Sequence, residues 1–214
     1  MNYLAVVAHP DDEALGCGAA LAKAVDDGHR AVVLLATRRC DPRGIASWAS
    51  LVDAFHRSCD ILGARPIALD DLLPETDAEP RPDLLHDRIL PWVEQADVVL
   101  THWPGDVNQV HRGISTAVEI ATRPFRRRRD VSLFEIPTST DQIFGGNSAR
   151  VFAPNEYVVV SADQARRKCA AFAEYAGETA PGRSPDDIER RLRLRGQEIG
   201  VEFAEAFVVA RRFR

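Results

Sequence analysis

The chain has 214 residues, 45% of them hydrophobic and 28% charged, with a formal net charge of −5. This suits one soluble globular domain, 1–214, with a single sizeable core, and argues against a nucleic-acid partner and a membrane span. No signal peptide is read at the start, and Cys17, Cys40, Cys59 and Cys169 form no CxxC pair, so reduced thiols in a cytoplasmic protein are expected.

Residues 4–8 form an apolar run that reads as a buried parallel strand. It stops at His9-Pro10, and Asp11, Asp12 and Glu13 follow before an alanine-rich helix over 14–27 that ends near Gly28. The carboxyl end of an inner strand is where open α/β sheets bind ligands. Three carboxylates and an imidazole in five residues are costly there unless a cation collects them. His9 and Asp12, three apart across a turn, can converge on one ion. An imidazole with a carboxylate suits zinc or a similar transition metal better than magnesium or calcium. Asp11 has no ligand role in that arrangement and is placed to act as a general base. An acidic turn could instead cap the helix, but capping needs one acid and does not need His9.

The stretch Ala8-His9-Pro10-Asp11-Asp12-Glu13 after an apolar strand resembles the signature of the PIG-L/LmbE-type zinc-dependent N-deacetylases. That family removes acetyl groups from N-acetylglucosamine-type sugars and conjugates.

A second strand is expected over 31–37. A loop over 38–44 then lies at the same sheet edge as His9, where Arg38 or Arg43 could hold an anionic or sugar-linked group. Residues 45–62 read as a helix closing at Gly63. The resembled family often carries an Arg-x-x-Glu pair on this helix; Leu51 and Ala54 stand at those places. His56 and His86 read as surface histidines. A short strand over 66–69 precedes an acidic loop over 70–83, expected on the surface, and a helix over 84–94.

An inner strand over 98–102 leads into Trp103-Pro104-Gly105-Asp106-Val107-Asn108-Gln109-Val110-His111, and His111 opens a helix running to about residue 122. The family's third zinc ligand is the last histidine of Asp-x-His-Pro-Asp-His or Asp-x-Asn-x-Asp-His, and His111 matches it. The resemblance therefore implies a ligand set of His9, Asp12 and His111 with a fourth position open, the catalytic arrangement. Asn108 stands where many members have a histidine, and Val110 where an aspartate adjoins the ligand. An amide needs no carboxylate to fix its charge, and Asn108 can donate to an oxyanion. His102 reads either as support behind a ligand or as the plain end of a strand.

Arg126 to Arg129 read as a solvated helix end. A strand over 131–136 leads into residues 134–140, similar to the family's Tyr-Glu-Val-Pro-Ser-Ser-Thr, where hydroxyls such as that of Ser139 either bond sugar hydroxyls or cap a turn. A loop is expected over 145–147, a strand over 151–160 and a helix over 162–175. Pro181-Gly182-Arg183-Ser184 resembles the family's Pro-His-Pro-Arg-Ser, with Ser184 as N-cap of a helix that ends near Gly196 or Gly200. Residues 202–207 resemble the family's closing run; Glu205 is expected to pair with a structural arginine, and a last strand covers 207–210.

Strands alternating with helices predict an α/β fold, a three-layer sandwich with a mostly parallel Rossmann-like sheet. No Gly-x-Gly-x-x-Gly follows the first strand, so no dinucleotide is implied. The resemblance implies a Zn2+-dependent hydrolase acting on a small-molecule N-acylated amino sugar, with a role in secondary metabolism open, and the chain is compatible with a homo-oligomer. Candidate residues are Asp11 and Asn108 for catalysis, His9, Asp12 and His111 for the metal, and Arg38, Arg43, His102, Asp106, Ser139 and Arg183 for substrate. Two rivals stand beside it. One is a magnesium-dependent phosphohydrolase built on Asp11, Asp12 and Glu13. The other is a non-catalytic sugar-binding relative, motivated by Leu51, Ala54 and Val110.

Overall fold

The computed structural model describes residues 1–144 and 150–214, the Arg43 side chain excepted; the expected loop at 145–147 lies outside the described residues. The first half runs β1 (Asn2–Val7), α1 (Asp12–Gly16), α2 (Gly18–Asp26), β2 (Arg30–Arg38), α3 (Pro42–Leu62), β3 (Arg65–Pro74), α4 (Pro82–Val93) and β4 (Val98–His102). The second half runs α5 (Gln109–Ala121), β5 (Asp130–Phe134), β6 (Glu156–Val159), α6 (Ala162–Ala173), α7 (Pro185–Gln197) and β7 (Ala204–Arg211).

Seven strands form one sheet in the order β3-β2-β1-β4-β5-β7-β6. The first five are parallel, and β7 runs antiparallel to both β5 and β6. Alternation along β1 and β2 builds the two faces. Ala5, Val7, Val33 and Leu35 pack with Leu15, Phe55, Leu62 and Phe172 on one side. Leu4, Val6, Leu34 and Ala36 pack with Leu85, Ile89, Ile114 and Val118 on the other. The result is a three-layer α/β sandwich in which inner strands are apolar on both faces, as parallel strands must be when helices cover each side. The chain winds from β1 out to β3, then returns to add β4 on the far side of β1. The crevice at that switch of direction opens beyond the carboxyl ends of β1 and β4.

Several expectations need adjustment. The helix over 14–27 is broken at Cys17, which leaves the Leu15 carbonyl and the Ala19 and Ala20 N–H groups without helical partners. A buried ion pair satisfies them. Lys168 Nζ donates to Leu15 O (2.8 Å) and Glu205 Oε1 (2.5 Å), and Glu205 accepts from Ala19 N (3.0 Å) and Ala20 N (2.7 Å). The partner of Glu205 is thus a lysine and not an arginine. α3 begins earlier than expected because Asp41 accepts from Gly44 N (2.9 Å) with Pro42 in the first turn, so Arg43 sits on a helix and not in a loop.

The acidic stretch after residue 70 is only in part a surface loop, with Asp70, Asp71, Glu79 and Asp83 exposed. β3 extends to Pro74, and Leu73 and Ala78 are buried. Gly113 of α5 makes this possible, since a Cβ there would lie 2.4 Å from the Ala78 carbonyl oxygen. The Arg126–Arg129 run is no helix end either. α5 stops at Ala121, Arg129 is buried, and Arg127 and Arg129 both donate to the Glu94 carbonyl at the end of α4. His86 is half-buried beside Asp87, whereas His56 is exposed as expected. The strand over 151–160 shortens to Glu156–Val159. Among the described residues no helix is long and apolar enough to cross a membrane.

Candidate active site

The turn between β1 and α1 carries local strain. Asp11 has φ 108°, and Thr138 has φ 64°; they are the only non-glycine residues with positive φ among those described. Such conformations cost on the order of 1–3 kcal/mol each and gather at functional sites. Both residues line one cavity. The Asp11 turn is held from beneath by Glu13, whose Oε2 accepts from Asp11 N (3.2 Å). Glu13 Oε1 accepts from Ser58 Oγ (2.5 Å) and Tyr175 OH (2.6 Å). Burial pushes the Glu13 carboxyl up to about 7 against those two hydroxyls. Glu13 is therefore committed to the core, and the three carboxylates needed by the phosphohydrolase reading do not converge.

His9, Asp12 and His111 do converge, with one donor atom from each lying within 4.8 Å of the others. His9 Nδ1 is 3.4 Å from Asp12 Oδ2, and His111 Nε2 is 3.4 Å from Asp12 Oδ1. His111 is buried, and neither of its ring nitrogens has a hydrogen bond from a described residue; each lies at ion-pair distance from a carboxylate, Nε2 from Asp12 and Nδ1 from Asp106. Burial alone would lower the His9 imidazole, but Asp12 and Glu75 outweigh it and push it up to about 10. Burial would raise the Asp12 carboxyl, but His111 and His102 hold it well below the usual range. An orphaned buried nitrogen, a second imidazole and an ionised carboxylate aimed at one point fit a divalent cation of borderline softness.

Behind His111 stands Asp106. Its Oδ1 lies 3.3 Å from His111 Nδ1 and accepts from Asn108 N (2.7 Å) and Ser139 Oγ (2.5 Å); its Oδ2 accepts from Thr140 Oγ1 (2.6 Å). Burial would raise this carboxyl, but His111 and the two hydroxyls bring it down to about 2. Asp106 and Ser139, read from the sequence as substrate contacts, meet each other beside His111; Ser139 lines the cavity and Asp106 does not. Asp106 thus stands behind His111, whereas Val110 is buried in the core beside α4. His102 is also behind the site. Its Nε2 accepts from Ala8 N (3.1 Å), its ring stacks on His111 at 4.1 Å, and burial, then the His111 charge, lowers it to about 3. Leu51 and Ala54 belong to the hydrophobic core.

The cavity holds about 280 Å3 and is lined by His9, Pro10, Asp11, Asp12, Arg39, Glu75, Asn108, His111, Thr138, Ser139, Glu178 and Arg183. Asn108 is the N-cap of α5: its Oδ1 accepts from Val110 N (2.8 Å), and no described residue accepts from its Nδ2. Burial and then Asp12 push the Asp11 carboxyl up to about 8, opposed by Arg183 and His9. Arg183 Nη1 is 3.5 Å from Asp11 Oδ2. Arg183 is delivered there by a tight turn, Ala180-Pro181-Gly182-Arg183, closed by two backbone hydrogen bonds, with Gly182 at φ 79°. Arg38 is exposed and does not line the cavity. Four lining residues were not named singly as candidates from the sequence. Arg39 and Glu178, paired at 3.2 Å, sit in loops with no motif. Thr138 belongs to a hydroxyl cluster of which only Ser139 was singled out. Glu75 sits in the stretch read as a surface loop.

A model of the family described as GlcNAc-PI de-N-acetylase, PIG-L, matches residues 4–122. No curated protein matches the chain. Several solved structures share its fold. Teicoplanin deacetylase Orf2, in its zinc-inhibited form, is 15% identical, with a TM-score of 0.74 and full coverage of both chains. N,N'-diacetylchitobiose deacetylase from Pyrococcus horikoshii is 21% identical, with a TM-score of 0.69 over 97% of this chain and 83% of that one. GalB, the 4-carboxy-2-hydroxymuconate hydratase from Pseudomonas putida KT2440, is 17% identical, with a TM-score of 0.70 over 100% of this chain and 97% of that one. At such identities the likeness is one of fold, and one fold hosts several chemistries.

Proposed function

The chain belongs to the GlcNAc-PI de-N-acetylase (PIG-L) family, and from that premise we propose that it is a zinc-dependent hydrolase removing an N-acetyl group from an N-acetylglucosamine-type sugar or conjugate. The observation that carries this reading is the convergence of His9, Asp12 and His111 on a cavity that Asp11 and Asn108 also line. The hydratase among the neighbours shows why fold alone would not suffice. The deacetylases among them support the choice of reaction.

His9, Asp12 and His111 would hold the zinc. When bound, zinc supplies Lewis acidity, which polarises a carbonyl oxygen and brings the pKa of water to about 7. Asp11 takes a proton from the attacking water as that oxygen bonds the amide carbon. It returns the proton to the departing nitrogen, so the carbon–nitrogen bond breaks to give acetate and a free amine. Arg183 favours the carboxylate form of Asp11 that this requires. Asn108 Nδ2 donates to the oxyanion that develops on the carbonyl oxygen. Asp106 holds the outer nitrogen of His111, as carboxylates commonly do behind a ligand imidazole.

The test is acetate release from free N-acetylglucosamine, a sugar nucleotide, a glycolipid headgroup and a secondary-metabolite glycoside, each with and without a chelator. One substrate should release acetate, and the chelator should abolish the release. Asp11→Asn should keep its metal and lose turnover by a factor on the order of 10²–10⁴. A metal-free preparation with full activity would reject the mechanism, and binding without release would favour the non-catalytic relative.

A further inference from the structure

Glu75 is anchored on two sides. Its Oε2 lies 3.2 Å from His9 Nε2, and its Oε1 accepts from Cys40 N at 2.8 Å. It stands outside the set of donor atoms formed by His9, Asp12 and His111. Since Nε2 of His9 faces Glu75, the nitrogen that faces Asp12 is Nδ1, at 3.4 Å. His111 has the converse arrangement, with Nε2 toward Asp12 and Nδ1 toward Asp106. Each ligand imidazole therefore has a carboxylate at its outer nitrogen.

We propose that Glu75 is a positioning residue that fixes the proton on His9 Nε2, so that Nδ1 is presented to the metal; this rests on the metal reading above. The need is greater at His9 than at His111. The His111 ring is buried and stacked on His102, whereas the His9 side chain keeps 15% of its surface exposed. A free imidazole that rotates about its terminal bond exchanges Nδ1 for a carbon, and a free tautomer puts the proton on the wrong nitrogen. Glu75 blocks both, because it accepts only from an Nε2–H directed at it. Its own place is set by the buried Leu73 and Ala78 on either side and by Gly113, over which the Ala78 carbonyl packs. Glutamine at 75 offers a single carbonyl oxygen, so it can accept from His9 or from Cys40 but not from both.

The experiment compares the parent, Glu75→Gln, Glu75→Ala and His9→Ala. Zinc affinity is measured by competition with a chromophoric chelator, and the visible spectrum is recorded with cobalt in place of zinc. Circular dichroism of each metal-free variant checks folding. Glu75→Ala should weaken zinc binding roughly 10- to 100-fold, Glu75→Gln should fall between it and the parent, and His9→Ala should lose binding altogether. The cobalt bands of Glu75→Ala should shift while keeping the intensity of an unchanged ligand number. Parent-like affinity in Glu75→Ala would overturn the proposal. So would a loss as complete as that of His9→Ala with a change in cobalt coordination, which would make Glu75 a ligand. A parent that binds neither metal would remove the metal reading and the proposal together. Graded affinities without any acetate release would leave Glu75 in this role and remove only the assigned reaction.

Discussion

In the proposed mechanism Asn108 does two jobs that substitution can separate. Its Oδ1 caps α5 through Val110 N at 2.8 Å, and its Nδ2 is left to donate into the cavity. Asn108→Ala removes both. Loss of an N-cap costs about 1 kcal/mol, which in a chain of this length lowers Tm by roughly 2–4 °C. Loss of one oxyanion donor costs about 3–4 kcal/mol of transition-state stabilisation, or roughly 10²–10³ in kcat. Asn108→Ser keeps an oxygen able to cap the helix but is too short to place a donor where the amide nitrogen was. It should unfold within about 1 °C of the parent, since serine caps as well as asparagine, and still lose kcat as Asn108→Ala does. KM should change little in both, because the bond forms chiefly in the transition state. Steady-state kinetics on the best substrate of the acetate screen, with calorimetry on the same preparations, read the two effects apart. If Asn108→Ser turns over like the parent, the amide is only a cap, and Arg183 or the metal carries the oxyanion charge.

Two further outcomes follow from buried charges. Lys168→Met strands the Glu205 carboxylate with only the Ala19 and Ala20 N–H groups, at a cost of about 3 kcal/mol, or roughly 6–12 °C in Tm; adding Glu205→Gln should recover more than half, and calorimetry of the two proteins checks it. The Asp106 carboxyl lies at about 2 in the folded chain, below its ordinary 3.8. The unfolded chain therefore takes up that proton first on acidification. The stability contributed is fully present above about pH 4 and is lost as pH falls toward 2, an amount on the order of 2 kcal/mol. Urea denaturation across pH 2–6 should show the gap between parent and Asp106→Asn closing at the acid end; a gap independent of pH would mean that the carboxylate charge is not what His111 and the hydroxyls hold.

How far the site could be read in advance depended on how local each contact is. His9 and Asp12 lie three residues apart across one turn, so their convergence follows from spacing. His111 came only through a motif, because nothing local links residue 111 to residue 9. Asp106 read as a substrate contact, because spacing does not show that a carboxylate before His111 turns toward its ring. The loop closed by Ser139 and Thr140 brings it from five residues earlier, and those hydroxyls come from the far end of β5. Glu75 was illegible for a similar reason. An acidic, proline-bearing stretch has the composition of a solvated loop, and the packing of Ala78 over Gly113, which anchors it against α5, is not a local signal. The fold itself was more legible, since alternation in β1 and β2 and helical periodicity in α3 and α5 are local signals.

The same locality bears on which charge the crevice favours. A sheet switch point with a helix beginning beside it is ordinarily a place for phosphate, because the free N–H groups at a helix start favour anions. Here the chain's own carboxylates take two N–H groups of the turn. Asp12 Oδ2 accepts from His9 N at 2.8 Å, and Glu13 Oε2 accepts from Asp11 N at 3.2 Å. Those two donors are no longer open to an incoming anion, while the Asp12 carboxylate, facing His9, His102 and His111 at 3.4 Å each, adds negative charge to the position. One histidine and three successive acids after a strand thus disfavour an anion at this position and favour a cation.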